Sequence, residues 1–303
     1  MSSGSDVATA PREPLGDKAA TQRTAAAMER LKAIVLSERA ARWTARLSLI
    51  LIWQLVGELS DRMPTPVDTF NFIIDEFQRP FEGTEATWWN NQVVQNTYLT
   101  VERTVLGMFW VIAIGIPLGY AMGTYWRAQA TFTDIIMVGL ALPGYIWALL
   151  SLMWFGFSVT APVFTVAVSA TPALVVFVMR GTLAIPRELR DMSHAYEVPF
   201  LERFRHLVLP SMAGAVIAGV RLAILAGWGL VLVTEWFGLP DGAGQQSRSW
   251  YDAANFDGLM GWALIIILII IVFDRGVIER IDKRAHKWRG NIEGFGTKRE
   301  GTG

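Results

Sequence analysis

The chain has 303 residues, 52% of them apolar, and only 18% charged, against the roughly 25% usual in soluble domains. Its 27 basic residues balance 27 acidic ones, which leaves no global attraction for nucleic acid. The absence of cysteine excludes disulfides, thiolate metal sites and cysteine nucleophiles.

Residues 1–23 are small and polar, as in a disordered tail, and they lack the apolar core of a signal peptide. Residues 24–42 place Met28, Leu31, Val35 and Leu36 near helical spacing. This is either a solvated lead-in or an interfacial amphipathic helix. A spanning helix needs about 20 apolar residues. Six stretches approach that: 43–60, 99–123, 133–157, 160–184, 212–237 and 258–278. The last contains Leu264 to Phe273 with no polar side chain, whereas the first is short and carries Arg46, Gln54 and Glu58. Thirteen tryptophans suit a chain with two membrane interfaces.

The expected fold is therefore an all-α integral membrane protein of six transmembrane helices. Residues 1–42 form a cytoplasmic tail and lead-in, 43–289 the membrane domain and 290–303 a flexible cytoplasmic tail. Basic residues set the orientation. Eight lie up to and including Arg46, and the 124–132 connection adds Arg127. The 185–211 connection adds Arg187, Arg190, Arg203 and Arg205, and the end of the chain adds Arg280, Lys283, Arg284, Lys287, Arg289, Lys298 and Arg299. With six alternating spans all of these share one side, while the other holds only Arg62, Arg79 and Arg248 among many acids. Both termini are expected in the cytoplasm. Gly115, Gly119 and Gly123 fall along one face of the second span and allow close helix approach. Pro117, Pro143 and Pro172 are expected to interrupt their helices, as kinks in spans buried within protein.

The connection RDMSHAYEVPFLERFRHLVLP, Arg190 to Pro210, is unusually elaborate. Pro186 suits the start of a helix, with Glu188 and Asp191 near its positive end. Val198 before Pro199 is pushed out of the helical region, so this helix ends near Glu197. Pro199 then opens a second helix with an apolar face of Phe200, Phe204, Leu207 and Val208, and Leu209-Pro210 closes the segment. The first helix exposes Asp191, His194, Tyr196 and Glu197. A protrusion of this kind either docks in a groove of a soluble partner or stays solvated.

This loop resembles the EAA motif of ABC importer permeases, with Asp191-Met192-Ser193 at E-A-A, Glu197 at the glycine and Leu209-Pro210 at the closing L-P. Other stretches look like the same family in order: Pro64-Thr65-Pro66, Gly115-Ile116-Pro117-Leu118-Gly119, Trp154-Phe155-Gly156, Gly219-Val220-Arg221-Leu222-Ala223, Val233-Thr234-Glu235 and Gly242-Ala243-Gly244. Together they cover residues 44–289, and the branch they resemble is the nitrate/sulfonate/taurine type. The resemblance implies a six-helix permease with a cytoplasmic coupling helix between spans 4 and 5, in the bacterial inner membrane. It implies a separate cytoplasmic ABC ATPase that binds ATP and Mg, an extracytoplasmic solute-binding protein and a second permease copy. The ATPase-coupling residues would be Asp191, Met192, Ser193, His194, Ala195, Tyr196, Glu197, Leu209 and Pro210. The chain itself would hold no cofactor, metal or catalytic residue, and it contains no G-x-x-x-x-G-K-[ST] phosphate loop. Two residues depart from the pattern: Asp191 is a shorter carboxylate than the glutamate, and Glu197 replaces the helix-ending glycine, so that Pro199 is expected to supply the stop.

Four residues are candidates for the solute path. Glu235 is either a functional intramembrane acid or an interfacial one. Arg221 either pairs with an acid or backbone of a neighbouring helix or attracts an anionic solute. Trp147 and Trp154 either line the path or pack. The second reading of the whole chain is an ion-gradient-driven transporter or channel, which calls for inverted repeats or paired intramembrane acids. A membrane enzyme would need clustered ligands, and His194, His206 and His286 are dispersed.

Overall fold

The computed structural model describes residues 38–60, 62–81, 87 and 89–278. The expected tails, most of the 24–42 lead-in, His286 and the basic run from Arg280 lie outside the described residues. The chain divides into two compact units, Met1–Pro66 and Val67–Gly303.

In the first unit, helix α1 spans Glu38–Leu59. Its apolar residues Leu47, Leu49, Ile50, Leu51 and Ile52 are all exposed. Arg46 lies over the Trp43 ring at 5.2 Å, and Trp53 Nε1 donates to the Pro64 carbonyl at 2.9 Å, fastening the chain after the helix back onto it.

In the second unit the described residues form helices α2 (Pro66–Gln78, counted here from Val67), α3 (Gln92–Thr124), α4 (Trp126–Ala141), α5 (Gly144–Phe155), α6 (Thr160–Leu183), α7 (Arg187–Ala195), α8 (Phe200–Arg203), α9 (Leu209–Gly238), α10 (Ala243–Asp252) and α11 (Phe256–Phe273). Four continuous helices are long and apolar enough to cross a membrane: α3, α6, the joined stretch Phe200–Gly238, and Phe256–Gly276. The pair α4–α5 passes the same test jointly but bends by 95°. Residues 133–157 are thus two helices meeting at a corner. The corner is where Leu142, forced into extended backbone by Pro143, leaves the helical region (φ −75°, ψ 123°). Pro117 and Pro172 were expected to interrupt their helices in the same way, but both sit inside continuous helices.

The core is the contact between α3 and α6. A Cβ added at Gly107, Gly115, Gly119 or Gly123 would lie 2.7, 2.9, 2.6 or 2.5 Å from Val166, Leu174, Val178 or Thr182. Side chains there would push the helices apart, so the glycines set their spacing. Both series of numbers rise together, so α3 and α6 run parallel. The chain between them returns through α4–α5, so the described residues of this unit hold four continuous candidate spans, or five with the bent pair counted as one. Helix α9 runs antiparallel on the same core, with Gly181 against Met212 and Ala215, and Gly219 against Phe177 and Leu174. Buried Val111, Val166, Leu174, Val178, Met212 and Val231 fill the centre. The connection holding α7 lies at the end of the bundle where α3 and α6 finish and α9 begins, and the 239–255 connection lies at the opposite end.

Candidate functional site

Helix α7 begins at Arg187, with Pro186 as its extended N-cap residue and Glu188 in the first turn, favourable for the helix dipole. Ser193 is the buried residue of α7, and its hydroxyl donates to the Arg190 carbonyl at 2.7 Å. Asp191, Met192, His194, Ala195, Tyr196 and Glu197 are all exposed. Tyr196 at 79% and Met192 at 52% exposure present large apolar surface beside these acids.

The end of α7 corrects the expected role of Pro199. The N–H of Glu197 donates to the His194 carbonyl and that of Val198 to the Ser193 carbonyl, both at 3.0 Å. This bonding pattern closes a helix through a left-handed residue, usually glycine. Glu197 takes that conformation, with φ 50°. The backbone that the glycine would supply is therefore present, and Glu197 itself stops the helix while Pro199 serves as N-cap of α8.

The second loop helix also differs from expectation. Leu209-Pro210 does not end it. The π turn Phe204–Val208 joins α8 to α9 in one stretch, Phe200–Gly238. Leu209 N–H donates to the Phe204 carbonyl, so the wider turn absorbs Pro210, which has no N–H to give. Phe204 stacks edge-on against Tyr120 of α3 at 5.3 Å, and Val208 is buried, tying this helix to the bundle. Leu209 and Pro210 are exposed on the following turn.

The four path candidates do not converge. Arg221 makes a bidentate pair with Asp274, Nε to Oδ1 at 3.0 Å and Nη2 to Oδ2 at 2.7 Å, which fulfils the ion-pair alternative. Glu235 lies 14 positions further along α9, roughly 21 Å at the helical rise. Trp147 of α5 borders an apolar cavity of about 610 Å³ between α3, α4, α5 and α6. Trp154 is 58% exposed and packs edge-on against Phe164 at 5.8 Å.

Glu235 is not a water-exposed acid, because its side chain is fully buried. Arg103 Nη1 donates to its Oε1 at 2.7 Å, the Thr100 hydroxyl lies 2.9 Å from Oε2, and the Gly244 N–H donates to Oε2 at 3.0 Å. The neighbouring N–H groups of Gly242 and Ala243 donate to Asn96 Oδ1 at 2.8 Å and Thr100 Oγ1 at 2.9 Å. Three successive backbone donors of the Gly242-Ala243-Gly244 turn thus end on side chains of α3 and α9. Any Cβ at Gly242, whose φ is 108°, would overlap the Glu235 carboxylate. Arg103 also pairs with the Asp241 carboxylate. Asn96, Thr100, Arg103 and Asp241 were not singled out from the sequence. The available signal was the i, i+4, i+7 spacing of Asn96, Thr100 and Arg103, which places them on one face of α3.

Residues 113–286 match the family model of the binding-protein-dependent transport system inner membrane component. The nitrate import permease of Leptolyngbya laminosa is 25% identical over 228 residues, 74% of this chain and 78% of its own length. The taurine transport system permease of Escherichia coli is 19% identical over 209 residues, 69% of this chain and 74% of its own. Among solved structures, an inward-facing form of the MetNI methionine ABC transporter has a chain that superposes with a TM-score of 0.58 at 17% identity, covering 64% of this chain and 96% of that one. With more than half of its length matched by the family model, the chain belongs to the inner-membrane permease components of binding-protein-dependent ABC transport systems.

Proposed function

We propose that this permease works as the transmembrane half of an ATP-driven importer in which α7 is the coupling helix. The observation that carries the reading is the end of α7. The loop keeps a glycine-type left-handed cap at Glu197 and exposes Asp191, Met192, Tyr196 and Glu197 at the end of the bundle. A cytoplasmic ABC ATPase seats this protrusion, with ATP and Mg on that partner, and the rigid Phe200–Gly238 stretch carries its movement into the bundle. The family is one of transport permeases and not of enzymes.

The remaining assembly follows from the same reading. Helix α1 supplies a sixth span ahead of the five crossings, with both termini in the cytoplasm of a bacterium whose inner membrane holds the chain. Two copies enclose the solute path. An extracytoplasmic binding protein delivers the solute, and the nitrate and taurine permeases among the relatives point to a small oxyanion or sulfonate.

The test is purification of the tagged chain in mild detergent with mass spectrometry of what co-purifies, comparing wild type with Asp191→Arg/Glu197→Arg. A P-loop ATPase held by wild type and lost by the variant is the expected result. A well-folded wild type that holds none, while transport follows an ion gradient, returns the chain to the second reading.

A further inference from the structure

The loop end of the bundle contains a crevice of about 70 Å³ into which Arg190, His194 and Arg203 converge, alongside Tyr120, Thr124 and Thr182. Arg190 is half-buried and gives a hydrogen bond to the Thr182 carbonyl, at the C-terminal end of α6. Arg203 is also half-buried, and its Nη1 lies 3.0 Å from both ring nitrogens of His194. A neutral imidazole offers one acceptor and a protonated one offers none, so at most one of those contacts is a hydrogen bond. Two guanidiniums, each with five donors, therefore share at most two acceptors among these contacts.

The carboxylates that would ordinarily satisfy them are nearby in sequence but do not line the crevice. Glu188, Asp191, Glu197 and Glu202 are exposed, and none lines the crevice. Among the described residues neither arginine forms an ion pair with an acid. The negative ends of α3 and α6 account for part of this charge, about half a unit per helix end. Two full positive charges exceed that.

We infer that this crevice is an oxyanion site for a phosphate group, free or borne by an anionic phospholipid. The forked donors of two arginines meet from α7 and α8, and hydroxyls of Tyr120 and Thr124 lie on the α3 side. Donors arriving from different helices suit a tetrahedral group with several acceptor oxygens better than a planar carboxylate, which one guanidinium can satisfy alone. Because the site joins α3, α6, α7 and α8, its occupant would brace the loop against the bundle. The inference is independent of any ATPase.

The experiment follows thermal unfolding of the delipidated full chain in detergent as inorganic phosphate is titrated against chloride at matched ionic strength. A parallel arm uses phosphatidylcholine vesicles with and without phosphatidylglycerol. Wild type is expected to be stabilised in one arm or both. Stabilisation by phosphate and phosphatidylglycerol gives a site open to free phosphate, and stabilisation by the lipid alone makes the headgroup the source. Arg203→Gln should raise the half-saturating concentration about tenfold, the effect of losing one charge-assisted hydrogen bond. Arg205→Gln, on the exposed side of the same turn, should leave it unchanged. If Arg203→Gln does not fold, His194→Gln probes the crevice from its exposed edge and should shift the same titration. No stabilisation in either arm, or equal shifts for the crevice variant and Arg205→Gln, overturns the site.

Discussion

Arg103 and Glu235 meet at 2.7 Å with 3% and 0% of their side chains exposed, 132 positions apart in the chain. Their contact joins α3 to the end of α9, and through Asp241 and Gly244 it also fixes the turn that leads into α10. Buried ions of this kind are stable only when each is paired and its remaining donors and acceptors are bonded. Here Thr100 and Gly244 bond the carboxylate and Asp241 the second Nη group, while the buried Arg103 Nε has no hydrogen-bond partner among the described residues.

Removing one partner should therefore cost far more than removing both. Arg103→Ala is expected to destabilise the second unit by about 3–5 kcal/mol, because it leaves the buried Glu235 carboxylate without its cation, whereas Glu235→Ala should cost less, since Arg103 keeps Asp241. The double replacement Arg103→Met/Glu235→Leu should recover much of the loss. Denaturant unfolding in detergent measures all four states, and additive single and double losses would argue against a coupled pair.

The parallel seam of α3 and α6 predicts opposite signs for the same substitution at two glycines. At Gly119 an added Cβ lies 2.6 Å from Val178 Cβ and 2.7 Å from the Val175 carbonyl, and backbone cannot retreat as a flexible side chain can. Gly119→Ala should destabilise by about 1–3 kcal/mol through overpacking. At Gly229, inside α9, none of the described residues lies within 4 Å of the new carbon. Gly229→Ala should be stabilising by about 0.5–1 kcal/mol, from helix propensity alone. Unfolding temperatures of the two variants, compared with wild type, decide the matter.

The loop was legible because its signals are local. Pro186 and Pro199 bracket one helix, and Phe204, Leu207 and Val208 mark the face that packs. The seam was legible as far as the spacing of Gly115, Gly119 and Gly123, though not the partner they face. Hydropathy counts apolar residues and carries no direction, so 133–157 read as one span with a kink at Pro143, not as two helices turned through 95°. Pro143 breaks its helix while Pro117 and Pro172 do not, because only Leu142 leaves the helical region. The network around Glu235 was not legible, since its side-chain partners lie on α3, 132 positions away at Arg103, and are joined to it only by folding. The stop at Glu197 was hidden because residue type argued for glycine and the backbone conformation was kept without it.

Glu76 gives the stability of the second unit a pH dependence. It is 1% exposed on α2, accepts a hydrogen bond from Trp262 Nε1 at 3.1 Å and faces Arg79 at 3.3 Å. Burial pushes its carboxyl above the usual range, with the Trp262 bond and the Arg79 charge opposing that in part. The protonated acid is thus favoured by folding. Its contribution is fully present below the unfolded pKa and is lost as pH rises through the folded one. Unfolding of wild type measured across that window should show stability falling with pH. Glu76→Gln, which keeps an acceptor for Trp262, should flatten the slope, and an unchanged slope would assign the dependence to another group.

Glu197 separates the stability of the loop from its use. A non-glycine residue at φ 50° pays roughly 1 kcal/mol of backbone strain, which Glu197→Gly should remove. Ala254 has φ 53° at the end of α10, where its N–H donates to the Tyr251 carbonyl, so Ala254→Gly should stabilise to a similar degree. The two variants should diverge in complex with the proposed ATPase partner. Ala254 lies at the opposite end of the bundle, and its glycine variant should retain the partner as wild type does. Glu197→Gly keeps the cap but removes an exposed carboxylate from the proposed docking surface, so retention should weaken and lose its sensitivity to salt. Tm of the free permease and salt-titrated co-purification of the complex read the two effects separately. If both glycine variants gain stability and both hold the ATPase equally well at every salt concentration, Glu197 acts only as a helix stop, and the recognition surface reduces to Asp191, Met192 and Tyr196.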